Sequence, residues 1–276
     1  MTRTQTFPEI FYLNQLIQNI IDGKLRIPKF QRSFVWKQQD VLTLLHSVYS
    51  GFPIGSILVW ETQEDVESTS TVGPIRINNE PRGITGYLLD GQQRITTLVG
   101  TLKLGEHRRT NVQDQIDWSI YFDLEKLEFI RCPQGGLSQH HFPLASLFDT
   151  SQFLEAASEI RSIGDDNKSR KLLREADHLA DAFRDYKLPI VRIRDADLDR
   201  AVTVFARLNR TGRKISADEM VSALTYRRGE FHLAEKFDIF KKELADQGFH
   251  KIKRVLLLRS VLAALNKDMY LYENPI

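Results

Sequence analysis

Between residues 84 and 102 the spacing of the apolar side chains changes at a single point, and that change constrains the fold more than any other feature of the chain. Ile84 to Leu89 is an apolar run of strand character, whereas beyond Asp90-Gly91 the residues Ile95, Leu98, Val99 and Leu102 recur at i, i+3, i+4 and i+7. A strand feeding a helix through a short polar turn is the predicted element. The first turn of that helix carries Gln92, Gln93 and Arg94. A helix N-terminus offers unpaired backbone N–H groups and the positive end of a dipole, an arrangement suited to phosphate. Gly91 would let a ligand approach the backbone, and Arg94 supplies a planar fork for an anion. A second reading needs no ligand: Asp90 at the N-cap and Gln93 at N3 make a variant capping box. That reading accounts for Asp90 and Gln93 but not for Gln92 and Arg94 beside them, so both stand at this point.

The remaining composition narrows the classes. A chain of 276 residues is long enough to bury a sizeable core, and 42% hydrophobic with 27% charged residues is ordinary for a soluble globular protein. The formal charge of +2 argues against constitutive DNA binding while leaving local basic patches open. With Cys132 as the single cysteine, neither an intramolecular disulfide nor a cysteine-built zinc site can form, and a reducing, cytoplasmic setting is expected. No apolar leader opens the sequence and no run of 18 apolar residues occurs, so no membrane partner is expected.

Taken in order, Thr6-Phe-Pro-Glu9 reads as a capping box opening a helix with Ile10, Leu13, Ile17, Ile20 and Ile21 on one face. The aromatic and polar stretch Ile27-Pro-Lys-Phe-Gln-Arg-Ser-Phe-Val-Trp36 follows. Extended, it would place Arg32 on one face with Phe30, Phe34 and Trp36, either awaiting an anion or lying over an aromatic cluster. A helix over 37–50 ends at Gly51-Phe-Pro-Ile-Gly55, and Ser56 to Glu61 is a strand. Thr62 to Arg82 is expected to be a mobile loop or a small hairpin. Beyond the central strand and helix, Trp118 to Asp123 and Glu128 to Arg131 read as a strand pair. Residues 132–143 read as a loop whose His140 and His141 are solvated; His140 and Pro143 spell H-x-x-P, but without further metal-ligand spacing no nuclease centre is expected. Helices over 150–163 and 172–183 are scaffold, and Leu188 to Ile193 returns to the sheet. Leu198, Ala201, Val202, Phe205 and Leu208 mark a further helix ending at Asn209 and Gly212. Residues 187–214 hold eight Lys or Arg against three Asp, a local +5 that a helix C-terminus explains only in part. From Phe231 the chain reads as helical.

Three motifs stand in fixed order: Ile27 to Trp36, Asp90-Gly-Gln-Gln-Arg94, and Phe205-Ala-Arg-Leu-Asn-Arg-Thr-Gly212, with Gly51-Phe-Pro-Ile-Gly-Ser56 between the first two. The ordered set, across about residues 8–225, resembles the N-terminal domain family of the GmrSD type IV restriction endonucleases. The resemblance implies an α/β (α+β) fold with a ParB/sulfiredoxin-like mixed-sheet core and a helix-rich C-terminal half. Residues 1–228 would form the nucleotide-binding domain, with a helical insertion at about 150–186. Residues 229–276 would be a helical extension opening a second domain.

Family resemblance further implies a role in phage defence, restricting modified DNA or reading phosphorothioation as the mark of self, with the Asp90–Arg94 box tied to nucleoside triphosphate hydrolysis. Cleavage would then fall to a nuclease domain or partner protein absent from this chain. On that reading Gly91 and the following N–H groups hold phosphate, while Arg94 and Arg32 neutralise it. Gln31, Gln92 or Gln93 orient water or sugar, and Asn209 and Arg210 close the site. Asp90 would bind magnesium through water, which makes Asp90, Gln93 and Arg94 the catalytic candidates. DNA, including modified phage DNA, is an expected partner, and a homo-oligomer is compatible. The rival readings are a DNA-binding sensor of modification that uses segments 187–214 and 251–259 without hydrolysing nucleotide, and a non-enzymatic interaction module.

Overall fold

The computed structural model describes residues 5–29, 31, 34–64, 66–77, 83–103, 116–133, 135–194, 197, 200–201, 203–204, 233–250 and 252–264. Among them the chain is mixed α and β, as the sequence predicts. The first element corrects one expectation. Gln5–Tyr12 is a strand, β1, and the helix α1 begins only at Leu13 and runs to Ile21. The cause lies far along the sequence, in strand β10 (Lys187–Arg194), which pairs antiparallel with β1. Phe7, Glu9 and Phe11 alternate onto one face. There Arg194 lies over the Phe7 ring, Arg192 lies over Phe11, and Glu9 accepts from Arg192 Nε at 2.8 Å. Pro8 is tolerated because β1 is an edge strand. Long-range pairing thus overrides the local capping signal.

Element order continues with β2 (Leu25–Arg26), α2 (Gln38–Tyr49), β3 (Ile57–Thr62), the hairpin β4 (Thr71–Val72) and β5 (Ile75–Arg76), β6 (Thr85–Asp90) and α3 (Gln92–Lys103). Then come β7 (Ile120–Asp123), β8 (Glu128–Arg131), β9 (His141–Pro143), a 3-10 segment at Leu144–Phe148, α4 (Thr150–Arg161), α5 (Asp166–Arg184) and β10. The principal sheet has the order β1-β10-β3-β6-β2: β10 is parallel to β3, β6 is antiparallel to β3, and β2 is parallel to β6. A smaller sheet, β8-β7-β9, is antiparallel.

Alternation along the strands separates two apolar layers. Ile57, Val59, Leu88 and Ile190 join the large core beneath α1, α2, α3 and α5, whereas Leu58, Trp60, Tyr87, Leu89 and Ile193 cover the opposite face with Val66 and Ala201. Helix α1 alone buries Leu13, Leu16, Ile17 and Ile20, each worth about 1.5–3 kcal/mol. Helix α3 is buried on nearly every side, with Gln92, Arg94 and Lys103 its only partly exposed residues. The last two described helices, α6 (Leu233–Asp246) and α7 (Arg254–Ala264), share a cluster of their own from Leu233, Phe237, Leu257 and Leu258. No described helix is long and apolar enough to cross a membrane.

Candidate functional site

Strand β6 lies between β3 and β2 and is buried up to Leu89; its last residue, Asp90, keeps 44% of its side chain exposed. The turn into α3 is one residue long. Gly91 has φ +94, and its carbonyl accepts the Ile95 N–H at 2.9 Å, so Gly91 occupies the capping position. The capping box expected of Asp90 and Gln93 is therefore not formed. Asp90 belongs to the strand, and its carboxylate accepts from Arg94 Nη2 at 3.0 Å, while the Gln93 side chain turns away and accepts the Val35 N–H at 2.9 Å. Gly91 also has a packing reason to be glycine: a Cβ there would collide with Ile57 Cδ1. The left-handed backbone alone disfavours any other residue.

These bonds join the separated motifs to one another. The Gln31 amide donates to the Leu88 carbonyl, and Gln93 holds the backbone at Val35, where Phe34 packs on Trp118 at 5.2 Å between centroids. Arg94 Nη1 donates to the Ile54 carbonyl at 2.7 Å, inside the Gly51–Ser56 motif. That loop is held from the other side by Tyr186, whose hydroxyl donates to the Phe52 carbonyl at 2.6 Å and accepts the Ile54 N–H at 3.2 Å. Burial, above all, raises the Tyr186 pKa, so the hydroxyl stays protonated as a donor. The sequence gives no sign of Tyr186, a lone tyrosine in front of a strand. The same loop, with Tyr186 and Lys187, lines an open cleft of about 490 Å³.

Arg94 is thus more embedded than its place off the helix's apolar stripe predicts, at 16% side-chain exposure. A guanidinium carries five N–H donors and the two bonds use two of them, so the group is oriented without being exhausted. Gln92 is partly exposed on the same turn. Arg32, Asn209 and Arg210, the other expected ligands, lie outside the described residues. The basic character of 187–214 is partly neutralised where it is described: Arg192 pairs with Glu9 and Glu61, and Arg194 pairs with Glu61 at 2.5 Å.

The histidine pair corrects a second expectation. His141 opens a strand, its side chain is only 10% exposed, and the antiparallel β7–β9 register sets it opposite Asp123, itself 1% exposed. Asp123 Oδ1 accepts the Glu125 and Lys126 N–H groups at 2.9 and 3.0 Å. Burial alone would raise the Asp123 pKa, but these amides, with the neighbouring imidazoles, hold it below the usual carboxylate value. Burial, then repulsion from His140, pushes His141 below the usual imidazole value. The Ser138 N–H donates to His141 Nδ1 at 3.0 Å, so Nε2 carries the proton and faces Asp123 Oδ2 at 3.8 Å.

Residues 13–226 match the family model described as GmrSD restriction endonuclease, N-terminal domain. An uncharacterized protein of Methanocaldococcus jannaschii is 25% identical over 258 residues, an alignment that covers 78% of this chain and 41% of that relative. The chain therefore spans less than half the length of that relative. The matched region runs from α1 through the Ile27–Trp36, Gly51–Ser56 and Asp90–Arg94 segments that meet at the β6–α3 junction, and it covers well over half of the chain, so the chain belongs to the GmrSD restriction endonuclease N-terminal domain family.

Proposed function

We propose that this chain is a nucleotide-binding and NTP-hydrolysing regulatory module of a modification-dependent restriction or phage-defence system, with its site at the β6–α3 junction. Membership of the family supports the restriction setting. The observation that carries the nucleotide reading is the Asp90–Arg94 pair. It sits where a central strand hands over to a buried helix, is half open to solvent on the Asp90 side, and is held from behind by the Ile54 carbonyl. A purely structural pair would gain little from that exposure, since solvent screens it.

Arg94 would bind the phosphates with the donors its internal bonds leave, and its fixed fork would lose little freedom on binding. The first amides of α3 add the dipole of a helix N-terminus. Asp90 fits a magnesium role, because one of its oxygens is engaged by Arg94 and the side chain is otherwise accessible; magnesium commonly takes one carboxylate together with phosphates and waters. When bound, that ion would neutralise charge on the transferring phosphoryl group. Gln92, partly exposed on the same turn, would orient water or sugar. Gln93 would act indirectly, by fixing the Val35 backbone beside the turn.

DNA, including modified DNA, and a separate nuclease remain the proposed partners of such a module. The ion pairing of Arg192 and Arg194 weakens the reading in which this part of the chain is itself the DNA surface. Calorimetric titration of the folded chain with ATP, GTP, CTP and UTP in the presence of magnesium tests the proposal. At least one should bind, and Arg94→Lys should bind it more weakly while remaining folded. A folded wild-type chain that binds none of the four contradicts the proposal.

A further inference from the structure

A second cluster of ligating groups lies outside that junction, in the small sheet. The β7–β9 register and the 138–141 turn bring Asp123, His140 and His141 together, and one ligand atom from each lies within 4.8 Å of the others. We propose that these three side chains form a binding site for one divalent transition-metal ion of the zinc class, with a coordination position left for solvent.

The donor set selects the ion. Two imidazoles and a carboxylate suit zinc, cobalt or nickel, whereas magnesium favours oxygen ligands and retains its waters. Three protein ligands leave tetrahedral coordination incomplete, so water takes the fourth place. Asp123 is prepared for the role: its Oδ1 is fixed by two backbone amides, and its Oδ2 faces Lys126 Nζ at 3.7 Å and His141 Nε2 at 3.8 Å, both beyond hydrogen-bonding range. A cation placed between Oδ2 and the imidazoles takes up that charge at bonding distance. Lys126, 69% exposed, can withdraw into solvent.

Tetrahedral bonds of about 2.1 Å set neighbouring ligand atoms roughly 3.4 Å apart. Closing the cluster therefore needs a movement of about one ångström, within reach of rotation by the partly exposed His140. His141 must also exchange tautomer. Its Nε2 proton gives way to the ion, Nδ1 becomes the N–H, and the exposed Ser138 amide turns from Nδ1 to water. Proton count at the neutral ring is unchanged. Occupied, the site would fasten the 138–141 turn to the end of β7.

Untagged protein, stripped with a chelator and exchanged into metal-free buffer, should be titrated with Co²⁺ while its visible d–d absorption is followed, and separately with Zn²⁺ and Mg²⁺ by calorimetry. One equivalent of Co²⁺ or Zn²⁺ should bind, Mg²⁺ should not, and the cobalt spectrum should show imidazole and carboxylate ligation. His140→Ala and His141→Ala should each weaken binding by about tenfold or more. Asp123→Asn should do the same with the turn intact, because asparagine still accepts the Glu125 and Lys126 amides. Zn²⁺ should raise the melting temperature of the wild type but not of Asp123→Asn. Absence of stoichiometric uptake by the folded wild type, or undiminished uptake by the histidine variants, overturns the proposal. Neither readout involves nucleotide, so failure here leaves the β6–α3 proposal standing, and the reverse.

Discussion

The β6–α3 junction and the β7–β9 turn both gather polar side chains, but by opposite means. At the junction the functional candidates are contiguous in sequence, Asp90 to Arg94, and their bonds run outward to fasten Val35 and Ile54. At the turn the groups are apart in sequence, Asp123 against His140 and His141, and only strand pairing unites them. Bonds from side chains at the junction hold the fold together around the proposed site, whereas β9 joins β7 through its backbone and the histidine side chains take no part in that pairing. Substitutions at the two places should therefore differ in kind: those at the junction reach stability first, and those at the histidines reach ligand binding first.

Gly91→Ala should produce the largest effect. It demands φ +94 of an alanine and drives its Cβ into Ile57, a combined cost of about 2–5 kcal/mol that denaturant titration would read. A loss below about 1 kcal/mol would show that the turn repacks and that the junction is softer than its contacts imply. Next comes Arg94→Ala, which removes two bonds from a side chain only 16% exposed. It should destabilise by about 1.5–3 kcal/mol in the same assay. A silent substitution would separate Arg94 from the fold and leave ligand binding as its sole role. His140→Ala sharpens the contrast, since without metal it should change stability by no more than about 0.5 kcal/mol. Smallest is a pH effect. Because the folded-state pKa of His141 is depressed, the unfolded chain binds the extra proton first as pH falls below about 6.5. Stability should decline there, and His141→Gln should lose that part of the acid slope. An unchanged slope would show that this imidazole is no more buried in solution than when unfolded.

Local periodicity made the strand and helix around Asp90-Gly91 legible, together with α2, β3, the β7–β8 pair, α4, α5 and β10, because each carries its own apolar spacing. It failed where partners distant in sequence decide. Thr6 to Glu9 has the letters of a helix cap, yet Arg192 and Arg194 draw Phe7, Glu9 and Phe11 into a strand. His141 to Pro143 has loop composition but completes a sheet by pairing with β7. At the site, the residue types were legible and their partners were not. Gln93 was expected to cap its own helix and instead holds Val35, and Tyr186, which steadies the loop that holds Arg94, left no signal in its neighbours.

The central claim is that the Asp90–Arg94 pair serves nucleotide chemistry as well as the fold, and Asp90→Asn isolates it. Asparagine keeps the shape and an acceptor for Arg94 but loses the charge that would hold magnesium, and at a side chain 44% exposed the stability cost should be small. Phosphate release from the preferred NTP with magnesium should be measured for both proteins, each shown to be folded. The account predicts measurable turnover by the wild type, and a fall of at least about tenfold in Asp90→Asn. Equal turnover by the two proteins, or none by the folded wild type with any of the four nucleotides, would contradict it.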